Sequence, residues 1–217
     1  MNTFQVIQNT EAFVKTRLEG EATGHDWFHA DRVRDTGLTL QEKEGGDTFI
    51  IEVALLLHDV GDRKVLGTDN DDPTIAEDFL KNQKIGHAAT DSIMHIISNM
   101  SFSKSLDGKA IDKSIEFQIV QDSDRLDALG AIGIARAFAF GGSRGRPLFN
   151  PDYVPQTFTS AADYKQAESS TLHHFDEKLF TLKNTFNTAT ATRMAEERDV
   201  YMHEFYNRFL AEWDSKK

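Results

Sequence analysis

Apolar residues recur along most of this chain at steps of three and four, the period of a helix with one buried face. Phe4, Ile7, Phe13, Val14 and Leu18 predict a helix over residues 3–19, and Gly20 and Gly24 interrupt the pattern before a second from Asp26 to Lys43. After Gly45-Gly46-Asp47, the run from Phe49 to His58 is almost continuously apolar, which predicts a helix buried on most sides. Asp69-Asn70-Asp71-Asp72-Pro73 reads as a loop with proline at the next helix start. It lacks the glycine and closing glutamate of a calcium loop, so its acids are expected in water. Helices over 74–82 and 84–99 follow, then a loop at 101–108 and a helical pattern from Ile115 to Phe140. Ala128, Gly130, Ala131 and Gly133 within it would let another backbone approach closely. The stretch from Gly141 to Pro147 is the clearest break; a loop to Ser160 and helices near 161–183 and 189–213 come after it. With no strand-type alternation and no repeat, the predicted class is all-α.

A chain of 217 residues fits one domain, or a domain with a helical extension, and either can bury a sizeable core. Zero cysteines remove disulfides, thiolate nucleophiles and sulfur-ligated metals, leaving histidine and carboxylate for metal chemistry. No apolar run approaches the roughly 18 residues of a membrane span, and the N-terminus has no signal-peptide pattern, so a soluble cytoplasmic protein without a membrane partner is expected. The net charge of −11 argues against a polymeric nucleic acid as partner. It does not exclude a small phosphorylated substrate, because a dication and a few local cations can reverse the field inside one pocket.

The apolar run Val53 to Val60 contains His58-Asp59. Burying such a pair unsatisfied costs roughly 2–7 kcal/mol per group, and a divalent metal would satisfy both. His25 and His29 stand four apart on one helix face with Arg32 beside them, so both histidines could reach one pocket. Asp124, downstream in Val120-Gln-Asp-Ser-Asp-Arg-Leu-Asp127, completes the candidate ligands. Two imidazoles and two carboxylates would leave open positions on a six-coordinate ion, a set suited to Mn, Fe, Co, Ni or Mg rather than closed tetrahedral zinc.

The order His29, His58-Asp59, Asp124 resembles the signature of the HD-domain metal-dependent phosphohydrolase superfamily. The flanking words His25-Asp-x-x-His29-x-x-Arg-Val33, Leu57-His-Asp-Val60, Met100-Ser-Phe-Ser103 and Val120 through Arg136 are similar to its small bacterial single-domain members, whose better understood relatives hydrolyse nucleotides. The likeness continues through His174-Phe-Asp-Glu-Lys-Leu179 and Ala195-Glu-Glu-Arg198. It implies an HD-domain helical bundle with a C-terminal helical extension: residues 1–140 as the metal-binding core, and 141–217 as a loop and helices packed on it. It also implies that His29, His58, Asp59 and Asp124 hold one divalent ion, with Asp124 preferred to Asp122 because it precedes Arg125-Leu126. His25 is left for a supporting or substrate contact, Asp62 for general acid or base, and His95 for substrate phosphate.

The expected reaction is hydrolysis of a phosphate ester or anhydride. Asp62 or Asp127 would accept a proton, and Arg32, Lys64 and Arg125 would balance phosphoryl charge. Asp127 could instead orient water or hold Arg125. Arg144 and Arg146 would close over the anion on a glycine-rich loop, and Lys178 would reach it from the C-terminal helices. A nucleotide is the preferred substrate by resemblance, with nucleoside triphosphate pyrophosphohydrolase slightly ahead of nucleotide phosphatase. The alternatives are an inactive HD module that binds nucleotide or a partner, and a cyclic phosphodiesterase, which is weaker because no second metal set is visible. A homodimer stays open, since the C-terminal aromatics suit either core or dimer contacts.

Overall fold

The computed structural model describes residues 2–21, 24–105, 111, 113–158 and 169–216, and among these it is helical with no strand. The helices are α1 (Thr3–Arg17), α2 (Trp27–Glu44), α3 (Thr48–Leu57), α4 (Arg63–Leu66), α5 (Thr74–Asn82), α6 (His87–Asn99), α7 (Phe102–Ser105), α8 (Ile115–Asp127) and α9 (Gly130–Ser143). A π-helical segment, Phe175–Leu179, then runs into α10 (Phe180–Leu182), a 3-10 turn (Lys183–Thr185) and the long α11 (Ala189–Trp213). No helix among the described residues is long and apolar enough to cross a membrane.

Several helices begin at a side chain that accepts one of their unpaired N–H groups, a cap whose loss costs about 1 kcal/mol. Asp26 accepts from His29 N, Asp47 from Phe49 N and Ile50 N, Ser114 from Phe117 N, and Thr188 from Ala191 N. α3 is the hub of the bundle. Its residues Ile51 and Val53 through Leu57 are sealed from solvent, and it packs against α1, α2, α6 and α8. α2 approaches so closely at Gly37 that a Cβ there would lie 2.3 Å from Leu55 Cδ1.

The pattern expected as one helix from Ile115 to Phe140 is two. α8 ends at Asp127 and α9 starts at Gly130, whose φ of +70° is open to glycine at little cost. A Cβ on Gly133 would stand 2.2 Å from the Ala128 carbonyl oxygen, so the small residues serve this tight corner. α9 in turn runs through Gly141 and Gly142 to Ser143, past the expected break. Gly141 is a point of close approach, since a Cβ there would fall 2.1 Å from Thr171 Oγ1. Helix was expected from 161; residues 159–168 lie outside the described ones, and 169–170 are not helical.

The C-terminal segments pack onto the rest through α9, α8 and α2. Phe138 of α9 meets Phe175, Phe205 and Phe209 at ring separations of 6.0–6.2 Å. Phe209 stacks on Trp213, which Phe149 meets edge-on. A polar latch joins the same regions: buried Asp122 accepts from the Asn187 and Thr188 backbone N–H groups and from both side chains, at 2.8–3.2 Å. Burial pushes the Asp122 carboxyl up, and these four donors work against that shift.

Candidate metal centre

α2 supplies His29, fully buried in its first turn. α3 ends at Leu57, so His58 is its C-cap and Asp59 lies in the following turn, which lets the adjacent pair face one point. α8 supplies Asp124. His29 Nε2 is 3.1 Å from His58 Nε2, 3.3 Å from Asp59 Oδ2 and 3.6 Å from Asp124 Oδ1. His58 Nε2 is 3.4 Å from Asp59 Oδ2 and 3.8 Å from Asp124 Oδ1. Neighbouring ligands of a six-coordinate ion, each about 2.1 Å from it, lie roughly 3 Å apart, so these spacings suit a first-row or magnesium ion.

The hydrogen-bonding chemistry makes the same point. The Leu55 carbonyl can only accept, so His58 Nδ1, 2.7 Å away, carries the hydrogen. His29 Nδ1 likewise donates to Asp127 Oδ2 at 2.7 Å. With both rings neutral, the two Nε2 atoms then turn lone pairs on each other between two carboxylates. A cation among them removes that conflict, so the donor set fits a divalent metal. Burial disfavours a charged His58, yet Asp59 and Asp124 outweigh it and push its pKa up to about 9. Burial likewise opposes charge on Asp59 and Asp124, but the histidines hold both carboxyls below their usual range, Asp59 well below.

His25 stands just outside these four. Its Nδ1 lies 2.7 Å from Asp59 Oδ2, and its ring is edge-on to His29. It forms a second metal-capable group with His29 and Asp59, but both are shared with the first. Among the described residues no independent second set is present.

Asp127 does not occupy the place expected for a proton acceptor. Its oxygens take His29 Nδ1, Arg32 Nε and Nη2 at 3.0 and 3.1 Å, and Arg136 Nη1 at 3.1 Å. Burial opposes its charge, but these partners drive its carboxyl far below the usual range. It holds no contact with Arg125, whose Nη1 donates to the Thr185 carbonyl. Arg32 is correspondingly spent on Asp127, and neither residue lines the cavity described next. Both orient His29.

A cavity of about 640 Å³ opens beside the metal centre, with His58, Asp59 and Asp124 on its wall. Of the residues expected to serve it, His25, Asp62, Lys64, Arg125, Arg146 and Lys178 line it. Asp62 is not on a helix with Asp59; it caps α4 by accepting from Lys64 N at 2.7 Å. Burial brings the Lys178 ammonium down to about 8 and, with Lys178, Arg146 and Lys64 nearby, brings His174 down to about 3. Two of the expected residues do not line it. His95 is exposed on α6 beside the Phe117 ring, away from the wall. Arg144 is exposed after α9, over the Phe140 ring.

Arg136, His174 and Glu177 line the cavity without having been singled out, as do Asn70, Asp71 and Asp72 of the acidic loop expected in water. That loop packs on Gly61, where a Cβ would be 2.3 Å from the Asp72 carbonyl oxygen. Arg136 joins Asp127 to the Gly24 carbonyl at 2.9 Å, a link across 112 positions that leaves no local signal.

Known proteins share this arrangement of chain. The HD-domain family profile matches residues 27–129. The uncharacterized protein YpgQ of Bacillus subtilis is 38% identical over 207 residues, covering 94% of this chain and 92% of its own. A solved structure from Lactobacillus plantarum superposes with a TM-score of 0.87 at 35% identity, over 99% of this chain and 100% of that one. An HD-superfamily hydrolase from Bacillus thuringiensis gives 0.74 at 40% identity, over 98% and 99%. YpgQ crystallised in complex with ADP gives 0.73 at 36% identity, over 95% and 96%. With likeness of this extent, the chain belongs to the HD-domain superfamily.

Proposed function

We propose that this protein is a metal-dependent phosphohydrolase acting on a nucleotide, with cleavage between the α and β phosphates of a nucleoside triphosphate favoured over removal of a terminal phosphate. One observation carries the reading: of four converging donor residues, His58, Asp59 and Asp124 border a cavity that also presents Lys64, Arg125, Arg136, Arg146 and Lys178. The complex of the relative YpgQ with ADP supports the substrate class.

His29, His58, Asp59 and Asp124 would hold one divalent ion, of the Mn, Fe, Co, Ni or Mg group. When bound, such an ion polarises a phosphoryl oxygen and makes water acidic enough to attack near neutral pH. The chain's own groups do the rest. Asp127 and Arg32 fix the His29 ring, and His25 fixes Asp59. Lys64, Arg146 and Lys178 balance charge on the phosphates. Asp62, on the wall and outside the metal set, takes and returns the proton.

Phosphorus NMR of nucleoside triphosphates incubated with the protein and Mn, Co, Ni or Mg tests the assignment. Pyrophosphate and a nucleoside monophosphate are the expected products. Orthophosphate alone would move the cleaved bond to the terminal position, and no turnover at full metal occupancy would leave a nucleotide-binding module.

A further inference from the structure

The cavity wall is not uniformly cationic. Glu177, in the π-helical segment, lines it while only 7% exposed. Its Oε1 accepts from the Tyr153 hydroxyl at 2.7 Å and the Gln156 N–H at 3.4 Å. Burial and this contact push Tyr153 up to about 12, so it stays a donor. Both bonds end on Oε1; Oε2 has no partner among the described residues, and it is not one of the sealed, unpartnered atoms. A carboxylate so buried is stable only when its remaining lone pairs find donors, and Oε2, on a residue of the cavity wall, is placed to take one from the cavity.

Glu177 accepts hydrogen bonds and repels phosphate. Its neighbour Lys178, about 3.8 Å away between Cα atoms, belongs to the cations gathered around His174. The group that Glu177 receives must therefore be a neutral donor attached within a few ångströms of the phosphates. In a nucleotide the sugar hydroxyls meet that description, and the base amines lie farther out.

We propose that Glu177, braced by Tyr153, receives a sugar hydroxyl of the bound nucleotide and so selects for an intact sugar. The inference rests on the nucleotide reading above.

Isothermal titration calorimetry with Mg²⁺ present, comparing ADP, 2′-deoxy-ADP, 2′,3′-dideoxy-ADP and inosine diphosphate, tests it. Wild-type protein should bind dideoxy-ADP roughly ten- to a hundredfold more weakly than ADP, the range for a hydrogen bond to a charged group. In Glu177→Ala that ratio should shrink to under threefold, and in Glu177→Gln, which keeps the Tyr153 bond and carries the comparison if the alanine variant does not fold, it should fall at least severalfold. The 2′-deoxy compound shows which hydroxyl is used. Equal binding of ADP and dideoxy-ADP by wild type overturns the proposal, as does an unchanged ratio in the variants. A Glu177-dependent penalty on inosine diphosphate without one on dideoxy-ADP moves the contact to the base and overturns it as well. If wild type binds no ADP, the nucleotide reading itself fails and takes this inference with it.

Discussion

Asp127→Asn separates the orientation of His29 from the presence of a ligand, because it leaves all four donor residues in place. The native carboxylate accepts from His29 Nδ1 at 2.7 Å and from two arginines at 3.0–3.1 Å. An asparagine loses the charge, and its NH₂ can donate to Nδ1. The imidazole hydrogen would then move to Nε2, the atom that faces His58. Loss of such a supporting partner typically weakens metal binding about 10- to 100-fold. At a metal concentration of about 100 times the wild-type Kd, metal stabilises the fold by roughly 2.7 kcal/mol; a Kd 100-fold weaker leaves roughly 0.4 kcal/mol. The variant should also lose about 2–4 kcal/mol of intrinsic stability, below the upper range for a broken buried pair because Arg32 is partly exposed. Urea unfolding with and without Mn²⁺, alongside direct Mn²⁺ calorimetry, measures both. Metal affinity within twofold of wild type in a destabilised Asp127→Asn protein would show that the carboxylate supports the fold and does not aim His29.

Asp62→Asn should bind metal normally and turn over at least about 100-fold more slowly, the usual share of general acid–base catalysis; near-normal turnover would remove Asp62 from the mechanism. The Lys178 ammonium, with its pKa near 8, loses its charge as pH rises through that value, so KM for nucleotide should climb above about pH 8. In Lys178→Met the KM profile should be flat across that range, and a profile like the wild type's would exclude Lys178 as the source. Gly133→Ala forces Cβ within 2.2 Å of a carbonyl oxygen and should destabilise by about 1–3 kcal/mol or more, read as a lower urea midpoint; an unchanged midpoint would mean the α8–α9 corner relaxes freely.

The convergence of His29, His58, Asp59 and Asp124 could be read in the sequence because a histidine and an acid at the end of the apolar run of α3 demand compensation, and few residues elsewhere can provide it. The all-α architecture was equally open, since helical periodicity is strong in α1, α2 and α3. The corner at Gly130 was not: apolar spacing continues across it, and only a left-handed φ at one glycine breaks the helix. Asp127 shares a face with Asp124, as spacing indicates, but spacing does not say that three cationic or imidazole partners consume it. His95 sits between Ile93 and Ile96, whose burial turns it outward, and that pattern was visible. The acidic loop is solvated as its composition indicates, with Asp69 and Asp71 exposed, but its contact with Gly61, which brings it to the cavity rim, left no local signal.

About one turn of α8 serves opposite sides of the molecule. Asp122 grips residues 187 and 188, Arg125 grips the carbonyl of Thr185, and Asp124 between them faces the histidines. Moving the C-terminal wall would therefore pull on the helix that carries Asp124 and shift its carboxylate relative to the His29 and His58 rings. Asn70 and Asp71, also on the cavity wall, are held differently: their hydrogen bonds run to Thr68 and Arg63, and among the described residues none runs to α8.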